Sequence, residues 1–501
     1  MIRVRTTKTA SGKTAVQVVS STHKKTLILK HLGSAENEKE IDHLINLGKQ
    51  FIENQLGYNS LFPEFSANNR RVQFDQLLNS AIIKTTRHLS VYQILVDWYS
   101  HCGFNLIGNN LLQDLSIIRL IEPTSKLQSI KLLARHFLKK YSEIYVYRQL
   151  PKLGQFKAVA ESTAIAFAKS HYNFSFSLVF YDVTTLYFES FTPDELRKCG
   201  FSKDGKSNQP QIVIGLVVDH QGFPISYGLF EGNTFEGHTM IPVILELKKK
   251  YQIDDLIIVA DAGMISFANI EKLNEQKLNY IVGARVKNLP INTIKLISTS
   301  LNKTENKYFS LVTKHGRIVC DYSKKRATKD KGDRLKQLTK AKFQLDNPNT
   351  ALRKNKFVKT ISSTKLSLNQ GLIDKSELLD GIKGYCTNTN IDDQLIVSRY
   401  HDLWHVEKSF RIAKTDLLAR PIFHFKKASI EAHLLIIFIS LCMAKSLELA
   451  TGLSIKKITE LLWLIEDIEI QDKQTLDIYH KQTVVESPEL EKLLSKIKSA
   501  Y

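Results

Sequence analysis

Two aspartates each follow an apolar run. Asp182 closes Leu178-Val179-Phe180-Tyr181, and Asp261 closes Ile257-Ile258-Val259-Ala260. A carboxylate at such a strand end is poorly solvated, and ligands of α/β sheets collect outside the carboxyl ends of their strands. Taken singly, either residue would serve as a helix N-cap or a turn residue. On one sheet the two can share a divalent cation, which prefers hard oxygen ligands. A third acid lies in the helical stretch from Tyr400 to Lys414. At about 100° per residue, Glu407, Arg411 and Lys414 all fall within roughly 40° of Tyr400. That stripe suits a metal-binding carboxylate beside cations that grip phosphate. It equally suits an amphipathic helix on which Glu407 and Arg411 pair at i, i+4 spacing. Trp404 stands beside the stripe; its first reading is a core aromatic, its second a platform for an unpaired base. Glu236 and His238 sit near a strand end, where they would line the same cleft at a remove from the reacting atoms.

The elements that must position these residues are legible in outline. Alternation over residues 1–30 predicts a hairpin with a Ser11-Gly12 turn and a third strand from Thr26, before a helix from Glu38 to Leu56. From Ser90 to about Ala168 the chain reads as helical, with breaks at Glu122-Pro123 and Pro151; its short helices around 110–121 and 124–137 have the order of a helix-turn-helix. Strands then follow at 177–182, 211–218 and 225–230, a helix at 239–250, a strand at 256–260, a helix at 266–276 and a strand at 280–284. This order predicts an α/β fold with a mixed sheet and flanking helices. After Asn288 the pattern is interrupted, with one possible strand pair (308–312 and 318–322). It resumes at Asp380, ahead of a helix from Asp392 to Thr415 and an apolar helix from Ser429 to Leu447. The expected division is a small basic β/α region (1–75), a helical, DNA-binding region (76–175), a core in two parts (176–290 and 380–450), a basic insertion between them (291–379), and a helical tail (451–501).

Charge narrows the partners. The 501 residues hold 70 Lys plus Arg against 50 Asp plus Glu, a net of +20. Between Lys324 and Lys359 thirteen bases face three acids, Asp330, Asp333 and Asp346. Each Lys or Arg placed on a phosphate releases a condensed counterion, so the excess favours a polyanion. Anionic membranes also attract basic surfaces, but the most apolar stretch, His433 to Met443, is shorter than the roughly 20 apolar residues that span a bilayer; it reads as a buried helix, and no membrane partner is expected. Five scattered cysteines without a CxxC pair argue against a disulfide framework and structural zinc, and suit a reducing cytoplasm. Met1-Ile-Arg-Val-Arg lacks the apolar core of a signal peptide.

The blocks from Phe180 to Glu189 and from Ile258 to Met264 resemble the first two acid-bearing blocks of the insertion-sequence transposases of the fourth family. Within that superfamily they are most similar to the branch of the mycoplasma-type element one-six-three-four. Residues Phe201 to Gly205 and Gly232 to Gly237 resemble the block between them. In the third block Tyr400, Glu407 and Lys414 stand at the family's offsets, whereas its arginine position holds Leu403; Arg411 is the substitute the stripe offers. The resemblance spans Phe180 to Lys445. It implies an RNase H-like core on which Asp182, Asp261 and Glu407 form a DDE triad holding two Mg²⁺ or Mn²⁺ ions, with an insertion before the glutamate. It further implies that Tyr400, Arg411 and Lys414 contact DNA and that Trp404 stacks a base, as aromatics do in hairpin-forming relatives. The implied partners are double-stranded DNA, as terminal inverted repeats and target, and a second copy of the chain on that DNA; the implied place is the bacterial cytoplasm. A derivative that binds DNA without cutting it, and a host nuclease or junction resolvase on the same core, are the competing readings.

Overall fold

The first strands form as their alternation demands. Ile2–Lys8, Thr14–Thr22 and Lys25–Ala35 pair antiparallel in chain order, and the helix Glu38–Leu56 follows them with the expected bounds. The computed structural model describes every residue except 1, 11, 23–24, 57–80, 203, 265, 314–315, 348–354, 363–364, 474 and 485. Ser11 of the expected turn and the expected boundary at 75/76 therefore lie outside the described residues. The chain divides into two compact units, residues 1–84 with 469–480, and residues 85–468 with 481–501.

The larger unit is built on an eight-stranded mixed sheet. Its strands in chain order are β1 (Leu178–Tyr187), β2 (Gln211–Val218), β3 (Pro224–Glu231), β4 (Ile257–Ala260), β5 (Asn279–Ala284), β6 (Tyr308–Thr313), β7 (Gly316–Tyr322) and β8 (Ile382–Thr387). Across the sheet they lie in the order β6-β7-β8-β5-β4-β1-β2-β3. β1, β2 and β3 are joined antiparallel, while β4 and β5 add to β1 in parallel. Parallel neighbours need crossovers, here the helices α1 (Met240–Tyr251) and α2 (Phe267–Glu275). Every residue of β2 is buried, which explains its unbroken apolar run, as in a strand covered on both faces.

The interruption is less separate than its sequence suggests. The strand pair inside it, β6 and β7, hydrogen-bonds through β8 to β5 and so extends the main sheet. Besides the helix Ile291–Leu301, what stands outside the sheet is α3 (Lys324–Asp346), a hairpin of Val358–Ser362 and Lys365–Leu368, and the helix Gln370–Leu378. Their small core is Ala341, Phe357, Val358 and Ile373.

Helices cover the sheet. The preceding region holds Leu89–His101, Asn110–Ile121, Lys126–Phe137, Glu143–Leu153 and Lys157–Tyr172, three of them capped by Asn109, Ser125 and Ser142 side chains. The chain breaks at Glu122-Pro123 as expected, but Pro151 is absorbed into a last helical turn. Ten of the twelve residues of Asn110–Ile121 are buried, so this first helix of the expected helix-turn-helix is a core element. Against it packs Lys427–Thr451, longer than the expected 429–447. Its 25 residues are long and apolar enough to cross a membrane, but 89% of the apolar window is buried inside the fold. The tail, expected to be helical, contains the strands Ile465–Asp472 and Ile478–Val484 between the helices Ile455–Leu462 and Pro488–Ser499. Its many charged residues hide the apolar spacing of Ile465, Ile468 and Ile470.

Candidate active site

Register brings the two aspartates together. β1 and β4 pair in parallel from Leu178↔Ile257 to Tyr181↔Ala260, so Asp182 and Asp261 occupy the next rung. Asp261 follows the end of its strand, as expected. Asp182 does not: β1 continues to Tyr187 along β2, with Asp182 opposite Leu216. Only the parallel neighbour stops there, and that leaves the half-buried Asp182 beside the exposed Asp261.

The helix expected from Asp392 to Thr415 is three pieces. α4 (Asp393–His401) ends at Asp402, α5 (Trp404–Arg411) carries Glu407, and a π-helical turn spans Ile412–Asp416. Tyr400, at the end of α4, is 3% exposed and donates its hydroxyl to Asp261 Oδ1 at 2.8 Å. The family resemblance implies that this residue contacts DNA; in the fold its ring is buried and its hydroxyl holds a carboxylate. Burial first, then the charge of Asp261, raises the pKa of this hydroxyl, with a smaller push from Glu407, so it stays a donor. Gly283 on β5 makes room for it: a Cβ there would meet the Tyr400 oxygen at 2.7 Å.

Glu407 is exposed on α5, within the electrostatic reach of Tyr400 and Lys383. It forms no ion pair with Arg411 among the described residues. Arg411 is exposed and its charge also acts on Asp416. Lys414 sits in the π-helical turn with its ammonium 3.6 Å from Asp204 Oδ2, a carboxylate that also takes Arg420. Leu403, where the family pattern has arginine, is 6% exposed in the joint between α4 and α5; an apolar residue suits that place. Trp404 overturns its first reading: it is 52% exposed and stacks on His405 at 3.9 Å between ring centres.

A fourth carboxylate joins the cleft. The position a Gly263 Cβ would take lies 3.7 Å from Asp261 Oδ2 and 3.8 Å from Glu236 Oε2. His238 is exposed, its ring against Phe235 at 5.5 Å. No three His, Cys, Asp or Glu side chains among the described residues converge closely enough to hold an ion as a set. The donors gathered are nonetheless carboxylate oxygens, the chemistry that Mg²⁺ and Mn²⁺ prefer.

Residues 174–443 match the family described as the transposase DDE domain. The chain belongs to that family. The matched span contains Asp182, Asp261 and Glu407. No curated protein matches the chain. Among solved structures it is similar to a piggyBac transposase in a synaptic complex with hairpin DNA, at 10% identity and a TM-score of 0.34; the likeness covers 61% of this chain and 57% of that one.

In this transposase-domain chain, Lys383 on β8 is the site residue that sequence reasoning missed. Its Nζ stands 4.3 Å from the centre of the Tyr400 ring. Burial and Arg326 lower its pKa, while Asp261, Asp321 and Glu407 pull it back up, so its charge is felt by two of the three expected acids. A lysine in a largely buried strand was its one visible signal.

Proposed function

We propose that the protein is a DNA transposase that cuts and rejoins DNA phosphodiesters at the ends of an insertion sequence. Asp182, Asp261 and Glu407 would be its metal-binding acids, carried on an RNase H-like sheet formed by β1 to β5. The observation that carries the reading is the shared rung of Asp182 and Asp261, with Tyr400 reaching Asp261 from the helix pair that bears Glu407. The third-block spacing supports a finer placement in the fourth insertion-sequence family, on the branch of the mycoplasma-type element one-six-three-four.

Two Mg²⁺ or Mn²⁺ ions bound by these acids would supply the Lewis acidity that activates water or a DNA 3′-hydroxyl and eases departure of the leaving oxygen. The chain's own contribution is positioning. Tyr400 fixes one Asp261 oxygen and leaves the other facing the cleft with Glu236. Lys383 places a cation beside the acids, where a phosphate brought into the cleft would meet it. Exposed lysines of α3 would track the duplex, whether terminal inverted repeat or target, and two copies of the chain would engage two element ends.

The test replaces the acids isosterically. Asp182→Asn, Asp261→Asn and Glu407→Gln are each expected to abolish Mg²⁺-dependent nicking of a duplex bearing the element end, while binding of that duplex persists. Full nicking by any one variant removes that residue from the triad; a wild-type chain that binds without nicking under any divalent ion makes the protein a DNA-binding derivative.

A further inference from the structure

Away from the acids, the larger unit buries two basic side chains without a counterion among the described residues. Arg119, in the core helix Asn110–Ile121, and Lys126, the first residue of the helix Lys126–Phe137, are each 4% exposed. The Nε of Arg119 is buried with no hydrogen-bond partner among the described residues. Neither residue has an ion pair among the described residues. Each is pushed down by burial, Arg119 to about 10, and Lys126 is lowered further by Arg119. Both line a cavity of about 430 Å³ together with Arg420, His424, His433 and Phe423, and none of the described lining residues is an acid. His433 is also 4% exposed; its Nε2 bonds Ala419 O at 3.0 Å and its Nδ1 has no partner among the described residues.

An unpaired buried cation costs several kcal/mol after relaxation, and two that repel each other cost more. A protein that keeps such a pair beside a cavity gains from filling the cavity with an anion. The first turn of Lys126–Phe137 adds the means: the Gln128 amide is held by the Ser125 hydroxyl, but the Lys126 and Leu127 amides have no partner within the helix, and the helix dipole is positive there. Guanidinium, ammonium and helix amides together are the donors that phosphate oxygens take.

We propose that this cavity is a phosphate site, with Arg119, Lys126 and the amides of the Lys126 turn as its donors. The phosphate belongs either to a DNA backbone or to a free ion or nucleotide; the chemistry of capture is the same.

The test uses the full chain in phosphate-free buffer. Labelled inorganic phosphate is measured by equilibrium dialysis, and melting is followed against chloride of matched ionic strength. Wild type is expected to bind saturably and to melt higher with phosphate than with chloride. Lys126→Met is expected to weaken phosphate binding by about ten- to a hundredfold, the loss of one charge-assisted hydrogen bond, and to melt above wild type when phosphate is absent. Arg119→Gln should weaken binding similarly; should it fail to fold, dialysis of wild type and Lys126→Met still decides. Wild type that binds no phosphate, or Lys126→Met that binds it equally well, overturns the site. Duplex DNA that displaces the labelled phosphate assigns the site to a backbone phosphate; phosphate retained under saturating duplex assigns it to a free ligand.

Discussion

At the scale of residues, the acids and the cations obey different logic. The carboxylates were legible because a charged residue after an apolar run has few places to be. The cations were not, because their direction depends on joints and neighbours that periodicity does not report. Arg411 keeps its i, i+4 place from Glu407 on α5, but the π-helical turn that follows takes Lys414 off the stripe, and Asp204 engages it. Lys383 reaches the acids from a strand. Because Arg411 is exposed and makes no ion pair with Glu407 among the described residues, Arg411→Ala is expected to leave strand cleavage within about twofold of wild type, the small effect typical of an exposed residue. Lys383→Gln should slow cleavage about ten- to a hundredfold if its charge meets the phosphate. Tyr400→Phe removes the hydrogen bond to Asp261 yet keeps the ring, and should slow cleavage by about tenfold, the worth of one such bond to a charged group, while raising the Mg²⁺ needed for half-maximal rate. Cleavage rates and metal titrations of the three variants, with melting temperatures as controls, check the ranking. A large loss in Arg411→Ala beside an unaffected Lys383→Gln would restore the helical stripe.

At the scale of elements, α3 shows what a charge run conceals. Its lysines read along the chain as one basic tract, and Lys325, Lys329, Lys336 and Lys340 are indeed exposed. Yet Arg334 in the same tract is 7% exposed and pairs with Asp380 and Glu377, while Asp330 accepts from the Gly381 amide just before β8. One helix thus serves solvent on one face and the strand entry on the other. Deleting the tract would confound the two. Changing these four of its seven exposed lysines to glutamine should lower the slope of log affinity against log salt by about 0.9 for each phosphate no longer neutralised, with stability changed by less than about 0.5 kcal/mol. Arg334→Ala, by contrast, should cost about 3–5 kcal/mol, as breaking a buried pair does. Salt titrations of duplex binding and thermal melts separate them; an unchanged salt slope would leave the lysines as a solvated face. The extension of the sheet by β6 and β7 was invisible for a related reason. The strands themselves could be read, but nothing local says that β7 will find β8, which lies far along the chain beyond α3 and the hairpin.

At the scale of the molecule, the family match begins at residue 174 and ends at 443, but neither point is a seam in the packing. One hydrophobic core runs through the preceding helices, the sheet and the closing helices. Glu161, 4% exposed on Lys157–Tyr172, accepts from Ser226 Oγ at 2.7 Å and from the Tyr227 amide at 3.3 Å, both on β3. Trp98 donates its indole N–H to Ser446 at 2.8 Å, and Ser440 donates to the Ser116 carbonyl at 2.9 Å. Residue 443 falls inside the helix Lys427–Thr451, whose buried side chains include Leu435, Ile436, Ile439 and Met443. A fragment of residues 174–443 would expose such side chains, each at about 1.5–3 kcal/mol, against a typical domain stability of about 5–15 kcal/mol. A handful of them exceeds the total. The fragment is therefore expected to melt without a cooperative transition and to bind a dye that reports exposed apolar surface, where the full chain melts cooperatively and does not. A fragment that melts sharply and still nicks DNA with Mg²⁺ would mean that the catalytic domain folds alone and that the preceding helices are an appended module. The buried Glu161 offers a second way to ask, because Glu161→Ala leaves the Ser226 hydroxyl and the Tyr227 amide without their acceptor. It should destabilise the full chain by about 1–3 kcal/mol even though it lies outside the matched span.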